Sequence, residues 1–303
     1  MAYAGHLECY AKSNEILHRF LSVEINASQV YRVTNFVSEQ LSDEDNSGER
    51  LLPVVAKEEV LYAETDGSMI STRTEGWKEV KLARLFKSSD CLNPNTESSY
   101  LQQSQYIAHF GNSKEFCEKT EQFIDSYGNL KNRLVFITDG ATWIKNWIED
   151  SYPEATAILD YYHACEHLHG FVENGMKEQD EEIQKQWFNE QKELLLESRV
   201  KEVIKNIEVT HAKKAEKEKL IHYYQTNIER MDYKAYQQLG CGIIGSGAIE
   251  SAHRTVIQQR MKLSGQHWSS KGANNMLRLR VISMNKQWYK VINLLRRPFA
   301  RAA

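Results

Sequence analysis

The sequence predicts an α/β fold, a mixed sheet with helices on both faces, interrupted by an all-helical block and preceded by a short helical segment. Three observations predict it. Short β-rich runs cluster between Val60 and Phe86. Two continuous apolar runs, RLVFIT at 133–138 and ATAILD at 155–160, have the texture of strands buried on both faces. From Tyr161 to about Gln238 the chain is charged, with apolar residues at i, i+3 and i+4 and no strand signal.

Each element follows in chain order. Residues 14–42 read as two helices, NEILHRFLSV and SQVYRVTNFVSEQL, broken at Glu24-Ile25-Asn26. Asn26 or Ser28 supplies the N-cap of the second. Helix, turn, helix is the shape of a DNA-reading hairpin, and the second helix offers Gln29, Tyr31, Arg32 and Asn35 to a groove. Any helical hairpin has the same outline. SDEDNSGER at 42–50 is a polar, acidic linker. VLYAETDG, SMISTRT and WKEVKLARLF then read as a three-stranded antiparallel meander, punctuated by Gly67 and by Glu75-Gly76. Residues 99–127 are expected to be mostly helical, with a break near Gly111. After RLVFIT a helix opens in DGATWIKNWIED and stops before Pro153. Beyond the all-helical block, the glycine-rich LGCGIIGSGAIES leads into a helix running to about Met261. MLRLRVISMNKQWYKVINLL makes a closing helix with an apolar stripe.

Totals narrow the function classes. The chain has 303 residues, 41% hydrophobic and 26% charged, as in ordinary globular proteins. It has no run of about 18 apolar residues and no apolar signal core, so neither a membrane span nor export is expected. The five cysteines are scattered without a C-x-x-C pair, which fits a reducing cytoplasm rather than a disulfide framework. Charge is unevenly placed. Ser251 to Ala303 carries eleven Lys/Arg and no Asp or Glu, leaving 27 basic against 41 acidic side chains in the first 250 residues. A tail that basic suits a polyanionic partner, or an acidic partner helix within the chain.

Three acids stand out. Asp66 and Asp139 are each followed by glycine and each expected at a strand end, where α/β sheets bind ligands. A single Asp-Gly is more often a turn. Two at matching strand ends bring like charges together, and hard divalent cations take such oxygen ligands. Glu250 follows the flexible GSGA at a helix start, where an acid also favours the helix dipole. Asp160 and His163 lie three apart in ILDYYHACEHL, with His167 on the same helix face. A closed zinc site would need ligands that Glu166 and Cys165 supply only in part.

Taken together, the Asp-Gly after the first strand, VFITDGATWI, ILDYYHACEHL, and GSGAIES followed by RMKLSGQHWS resemble bacterial insertion-sequence transposases of the DDE group. The four motifs occur in order over residues 60 to about 290. The resemblance implies an RNase H-like catalytic core with Asp66, Asp139 and Glu250 as a metal-binding triad. Asp160 and His163 match the Asp-x-x-His signature of Mutator-like and hAT-like relatives. The implied layout is a helix-turn-helix-like segment at 1–50, a first part of the core at 58–163, a helical insertion at 164–240, and the Glu250 helix with its basic tail at 241–303. Members usually carry a longer N-terminal part, often with paired cysteines, so this chain is expected to be N-terminally truncated.

The activity implied is phosphodiester hydrolysis and strand transfer at element ends, assisted by two Mg²⁺ or Mn²⁺ ions. Asp160 and His163 would orient the scissile strand or a flipped base, or support the triad from behind. Arg254, Arg260, Lys262 and Lys271 would bind backbone phosphates, and His267 and Trp268 would stack on an unpaired base; core packing is the other reading of Trp268. Double-stranded DNA is the expected partner, with a homodimer or larger assembly on it, in the nucleoid-associated cytoplasm. Two alternatives stay open: an RNase H-like nuclease without strand transfer, and a catalytically silent DNA-binding remnant.

Overall fold

Five strands form the central sheet in the order β5-β2-β1-β6-β7. They are β1 (Leu61–Ser71), β2 (Trp77–Lys87), β5 (Gln105–Phe110), β6 (Leu134–Thr138) and β7 (Thr156–Leu159). A separate two-stranded ribbon pairs β3 (Cys91–Leu92) with β4 (Tyr100–Leu101). This computed structural model describes residues 1–41, 55–94 and 99–296; the acidic segment 42–50 expected to be a linker lies outside them. β1 runs antiparallel to β2, and β2 to β5, while β6 and β7 are parallel to β1 and to each other. The chain is therefore a mixed α/β protein.

Alternation along β1 sorts the two faces of the sheet. Leu61 and Ala63, with Ala83, Leu85, Leu134 and Phe136, pack beneath Phe116 and Ile124 of one helix (Ser113–Asp125) and Ile144, Trp147 and Ile148 of the next (Thr142–Ser151). Tyr62, with Phe86, Val135, Ile137 and Ile158, packs on the opposite face against the all-helical block. That block comprises Tyr161–Gly175, Glu181–Leu196, Val200–Val209, Lys214–Asn227 and the short Tyr233–Tyr236. It leaves and rejoins the sheet at one place, because Tyr161 N–H donates to Ile244 O at 3.0 Å. Further along the same face, Ile70, Val80 and Leu82 pack against Ile249, Ala252, Val256 and Ile257. Those residues belong to a continuous helix built from Gly247–Ala252, a π-helical stretch His253–Gln258 and a last turn Gln259–Met261.

Three expectations change. β1 does not stop at Asp66 but runs through Gly67 to Ser71, so SMIS belongs to it and WKEVKLARLF is the second strand. Gly67 sits inside a paired strand because a Cβ there would meet the Glu79 carboxylate, so the missing side chain makes room for a neighbour rather than a turn. The third antiparallel strand is β5, drawn from a stretch expected to be helical. Asn285 decides this: its Oδ1 accepts from Tyr106 N–H at 2.8 Å and its Nδ2 donates to Tyr106 O at 2.9 Å, satisfying the outer edge of the strand. The closing helix is two, Ser270–Met284 and Tyr289–Arg296, separated by Lys286 at φ 56°.

At the N-terminus there are three helices, Ala2–Leu7, Tyr10–Leu21 and Ala27–Gln40, of which the first and third pack on the C-terminal helices and the second packs on those two. Asn26 caps the third through a reciprocal pair with Gln29, whose side-chain oxygen accepts from Asn26 N–H. Asn35 is buried and accepts from Asn275 Nδ2 at 2.9 Å. Of the four groove candidates, Tyr31 and Arg32 remain exposed.

His6 is buried in this N-terminal lock, its ring stacked on Trp288 at 4.6 Å. Burial, then the Arg280 charge, pull its pKa down to about 4. A depressed folded-state pKa means that the unfolded chain binds the proton more readily. Stability is therefore fully present above about pH 6.5 and lost as the pH falls toward 4. The loss should be on the order of 1–3 kcal/mol. Urea titrations between pH 4.5 and 7 should show it, and His6→Phe should flatten the curve; an unchanged slope in that variant would remove His6 as the cause.

Candidate metal-binding carboxylate site

The register sets the first two acids at neighbouring positions on adjacent strands. The last parallel rung between β1 and β6 is Thr65 with Thr138, and between β6 and β7 it is Thr138 with Leu159. One residue further on each chain stand Asp66, Asp139 and Asp160. All three follow the same alternation, on the face that carries Tyr62, Val135 and Ile158. Asp66 lies mid-strand because β1 and β2 continue as an antiparallel ribbon after β6 has ended. The expectation of two strand ends thus holds for Asp139 alone, while the adjacency it was meant to produce is present.

Local bonds fix these carboxylates. Asp66 Oδ1 accepts from Gly67 N–H at 2.6 Å, and Asp139 Oδ1 from Ala141 N–H at 3.0 Å. Asp160 is spoken for at both oxygens. Oδ1 caps the Tyr161–Gly175 helix by accepting from Tyr162 N–H at 2.8 Å, and Oδ2 accepts from the Ser246 hydroxyl. Asp160 is buried and ties the returning loop to the sheet, which makes it a support for the site. Gly245 allows this approach, since a Cβ there would fall 2.3 Å from the Tyr162 ring.

Glu250 is delivered to the same face by two residues that the sequence reading did not single out. Glu64, two before Asp66, and its cross-strand partner Arg84 are both buried. Glu64 Oε2 accepts from Ile249 N–H at 2.6 Å, and Arg84 Nη1 donates to Ala248 O at 2.5 Å. They clamp the first turn of the Glu250 helix to the sheet. Burial raises the Glu64 carboxyl to about 8 against the opposing pull of Arg84, with Asp160 and Glu250 adding to the rise. Glu250 itself is exposed, and its pKa is raised by desolvation and then by Asp160, Glu166 and Asp66. The one available signal for Glu64 was a second carboxylate two residues before Asp66, on the same face of the strand.

Beside the row, His163 Nδ1 lies 3.2 Å from Glu166 Oε2, and its ring meets His167 edge-on at 4.9 Å. His167 stacks on Tyr223 at 3.8 Å. His163, Glu166 and His167 line one wall of a cavity of about 220 Å³, with Glu216 and Lys219 opposite.

The basic tail divides in two. Arg254, Lys262, His267 and Lys271 are exposed. Lys262 Nζ reaches Ser68 Oγ at 3.3 Å, His267 Nδ1 lies 2.7 Å from Ser71 Oγ, and Lys271 pairs with Glu39 at 3.0 Å. Arg260 and Trp268 are core residues instead, a correction to their expected place at the DNA surface. The Arg260 guanidinium is fully buried between the Tyr10 and Trp268 rings, at 4.8 and 5.2 Å, and its Nε donates to Gly5 O. Trp268 Nε1 donates to Met261 O at 2.9 Å. Trp268 satisfies packing and hydrogen bonding together, whereas Arg260 bonds through Nε and leaves Nη1 and Nη2 facing the two rings without a hydrogen-bond partner.

Among the described residues no three His, Cys, Asp or Glu side chains are grouped so as to hold a metal ion between them. The donor set is still of the kind a hard divalent cation takes: carboxylate oxygens on two adjacent strands and one helix. The pKa of Glu250 is raised first by desolvation and then by the charges of Asp160, Glu166 and Asp66, and a cation would relieve only the second part.

Fold and site define a mixed α/β protein with a carboxylate row across its parallel strands and a glutamate brought onto it by a helix. A model of the uncharacterised protein family UPF0236 matches residues 4–297, and the chain belongs to that family. A comparison with curated proteins found no match. Among the described residues no helix is long and apolar enough to cross a membrane.

Proposed function

We propose that this protein is a DDE transposase with an RNase H-like core, which cuts and joins DNA strands with divalent metal ions. The observation that carries the reading is the placement of Asp66 and Asp139 at adjacent positions on one face, one residue past the last paired rung, with Glu250 clamped over that face by Glu64 and Arg84. The mixed sheet covered on both faces and interrupted by a helical block supports the same reading.

Asp66, Asp139 and Glu250 would hold two Mg²⁺ or Mn²⁺ ions, which supply activation of the attacking oxygen and stabilisation of the leaving one. The remaining work falls to the chain. Asp160 fixes the loop before Glu250 through Ser246. His163, half-buried at the rim of the adjoining cavity, orients the strand at its cut end. Arg254, Lys262 and Lys271 hold backbone phosphates, so affinity for DNA falls with salt. His267 stays available for stacking, a role that passes from Trp268 because that ring is enclosed. Strand transfer requires two ends held together, so a homodimer or larger assembly on DNA belongs to this reading.

The test is a strand-transfer assay with a duplex whose sequence is taken from the flanks of the gene, pre-cut at one end, with Mg²⁺ or Mn²⁺. Joined product is expected. Cleavage without joining would replace the proposal by a nuclease. Neither cleavage nor joining with either ion, in a preparation that binds the duplex, would leave only a DNA-binding remnant.

A further inference from the structure

His253 has no role in the site as described, yet its environment calls for one. It is 4% exposed, and neither ring nitrogen has a hydrogen-bond partner. Buried polar groups in folded proteins are nearly always bonded, so an orphaned imidazole needs an explanation. Its Nε2 lies 3.3 Å from Asp66 Oδ2, an approach that lacks only hydrogen-bond alignment. His253 also stands three residues after Glu250, on the same face of the helix.

The backbone at this point is unusual. His253 opens the π-helical stretch that runs to Gln258. Such turns are rare and frequent at functional sites, and where one joins an α-helix the change of repeat leaves carbonyls that need another donor. Here a buried arginine from the next helix takes them. Arg280 Nε donates to Val256 O at 3.1 Å and Nη2 donates to Thr255 O, while Nη1 reaches His6 O at 3.1 Å. The π turn that presents His253 to β1 is thus secured by a side chain that touches no carboxylate of the site.

We infer that His253 is a positioning residue for Asp66, donating from Nε2–H to Oδ2 while Gly67 N–H holds Oδ1. The inference rests on the metal-dependent reading above. A carboxylate offers about two acceptor directions at each oxygen, so both can be held from the protein side while each keeps a direction for a cation. A small rotation of ring or carboxylate brings the 3.3 Å approach into line. Outer partners of this kind set the orientation of a metal-binding carboxylate, and removing one typically costs about 10–100-fold in affinity.

Mn²⁺ binding to the full chain, measured by electron paramagnetic resonance without DNA, provides the test. His253→Leu should bind Mn²⁺ about 10–100-fold more weakly than the parent. His253→Gln, whose amide N–H reaches the place of Nε2, should recover most of the loss. Thermal midpoints taken alongside separate positioning from packing, since a packing role would lower both midpoints together and leave no recovery in affinity. Unchanged Mn²⁺ affinity in His253→Leu, or no recovery in His253→Gln, overturns the assignment of His253 alone. A parent chain that binds no Mn²⁺ overturns the metal reading and this inference with it.

Discussion

Asp139→Asn should abolish the proposed metal-dependent strand cleavage and transfer while leaving the proposed DNA binding in place. The substitution is nearly isosteric, and its amide oxygen can still accept from Ala141 N–H as Asp139 Oδ1 does at 3.0 Å. What it removes is one negative charge from the row. Losing an outer partner of a metal ligand costs about 10–100-fold, so losing a ligand should cost at least about 100-fold. Asp66→Asn and Glu250→Gln should behave alike, because each removes one carboxylate that the proposed ions share. Asp160→Asn supplies the contrast. Both Asp160 oxygens already accept from the protein, Tyr162 N–H on one side and the Ser246 hydroxyl on the other. Its loss should loosen the loop before Glu250 and lower stability more than it removes a ligand. Cleavage rates with Mg²⁺ and affinities at one fixed salt concentration decide the matter. Activity within about ten-fold of the parent in Asp66→Asn, Asp139→Asn or Glu250→Gln would break the triad, since a shared metal site does not survive the loss of a ligand so lightly.

The largest effect on stability is expected at Arg280. Arg280→Met keeps the buried stem but strips three backbone carbonyls, those of His6, Thr255 and Val256, of their donor. Each unsatisfied buried acceptor costs about 1–3 kcal/mol, and because these three share one donor the total should be about 3–5 kcal/mol. The guanidinium is itself costly to bury, and desolvation holds its pKa down to about 10, so part of the loss is returned when the charge is removed. Urea denaturation with an unchanged m-value would give the number directly. A loss below about 1 kcal/mol would mean that the π-helical turn holds itself without Arg280.

Much of the fold could be read from local pattern. RLVFIT and ATAILD became β6 and β7, and the periodic block after Tyr161 became helices. Those segments state their own structure: an unbroken apolar run has one stable home, and so does an apolar stripe with period 3.6. QYIAHF does not. It is short, it follows polar sequence, and its outer edge is satisfied by Asn285, 179 residues away. Gly67 misled for a related reason. The local rule makes Asp-Gly a turn, whereas the strand continues because Glu79 across the sheet needs the space.

The acids Asp66, Asp139 and Glu250 were visible in the sequence by residue type and by the glycines beside them. Sequence could not tell which cations of the tail face solvent. Arg254 and Arg260 lie six residues apart in one basic stretch, and the fold exposes the first and encloses the second between two rings. Burial of this kind is set by what packs on top, here Gly5 and Tyr10 from the far end of the chain. By itself, then, the sequence determined the mixed α/β class and the helical block and singled out the three acids as candidates, because periodicity and residue chemistry are local properties. Tertiary structure alone decided that Asp66 and Asp139 share a face, that Glu64 and Arg84 hold Glu250 over it, and that His253 turns toward Asp66. Those relations depend on strand register and on buried hydrogen bonds between residues distant in sequence, which no local window contains.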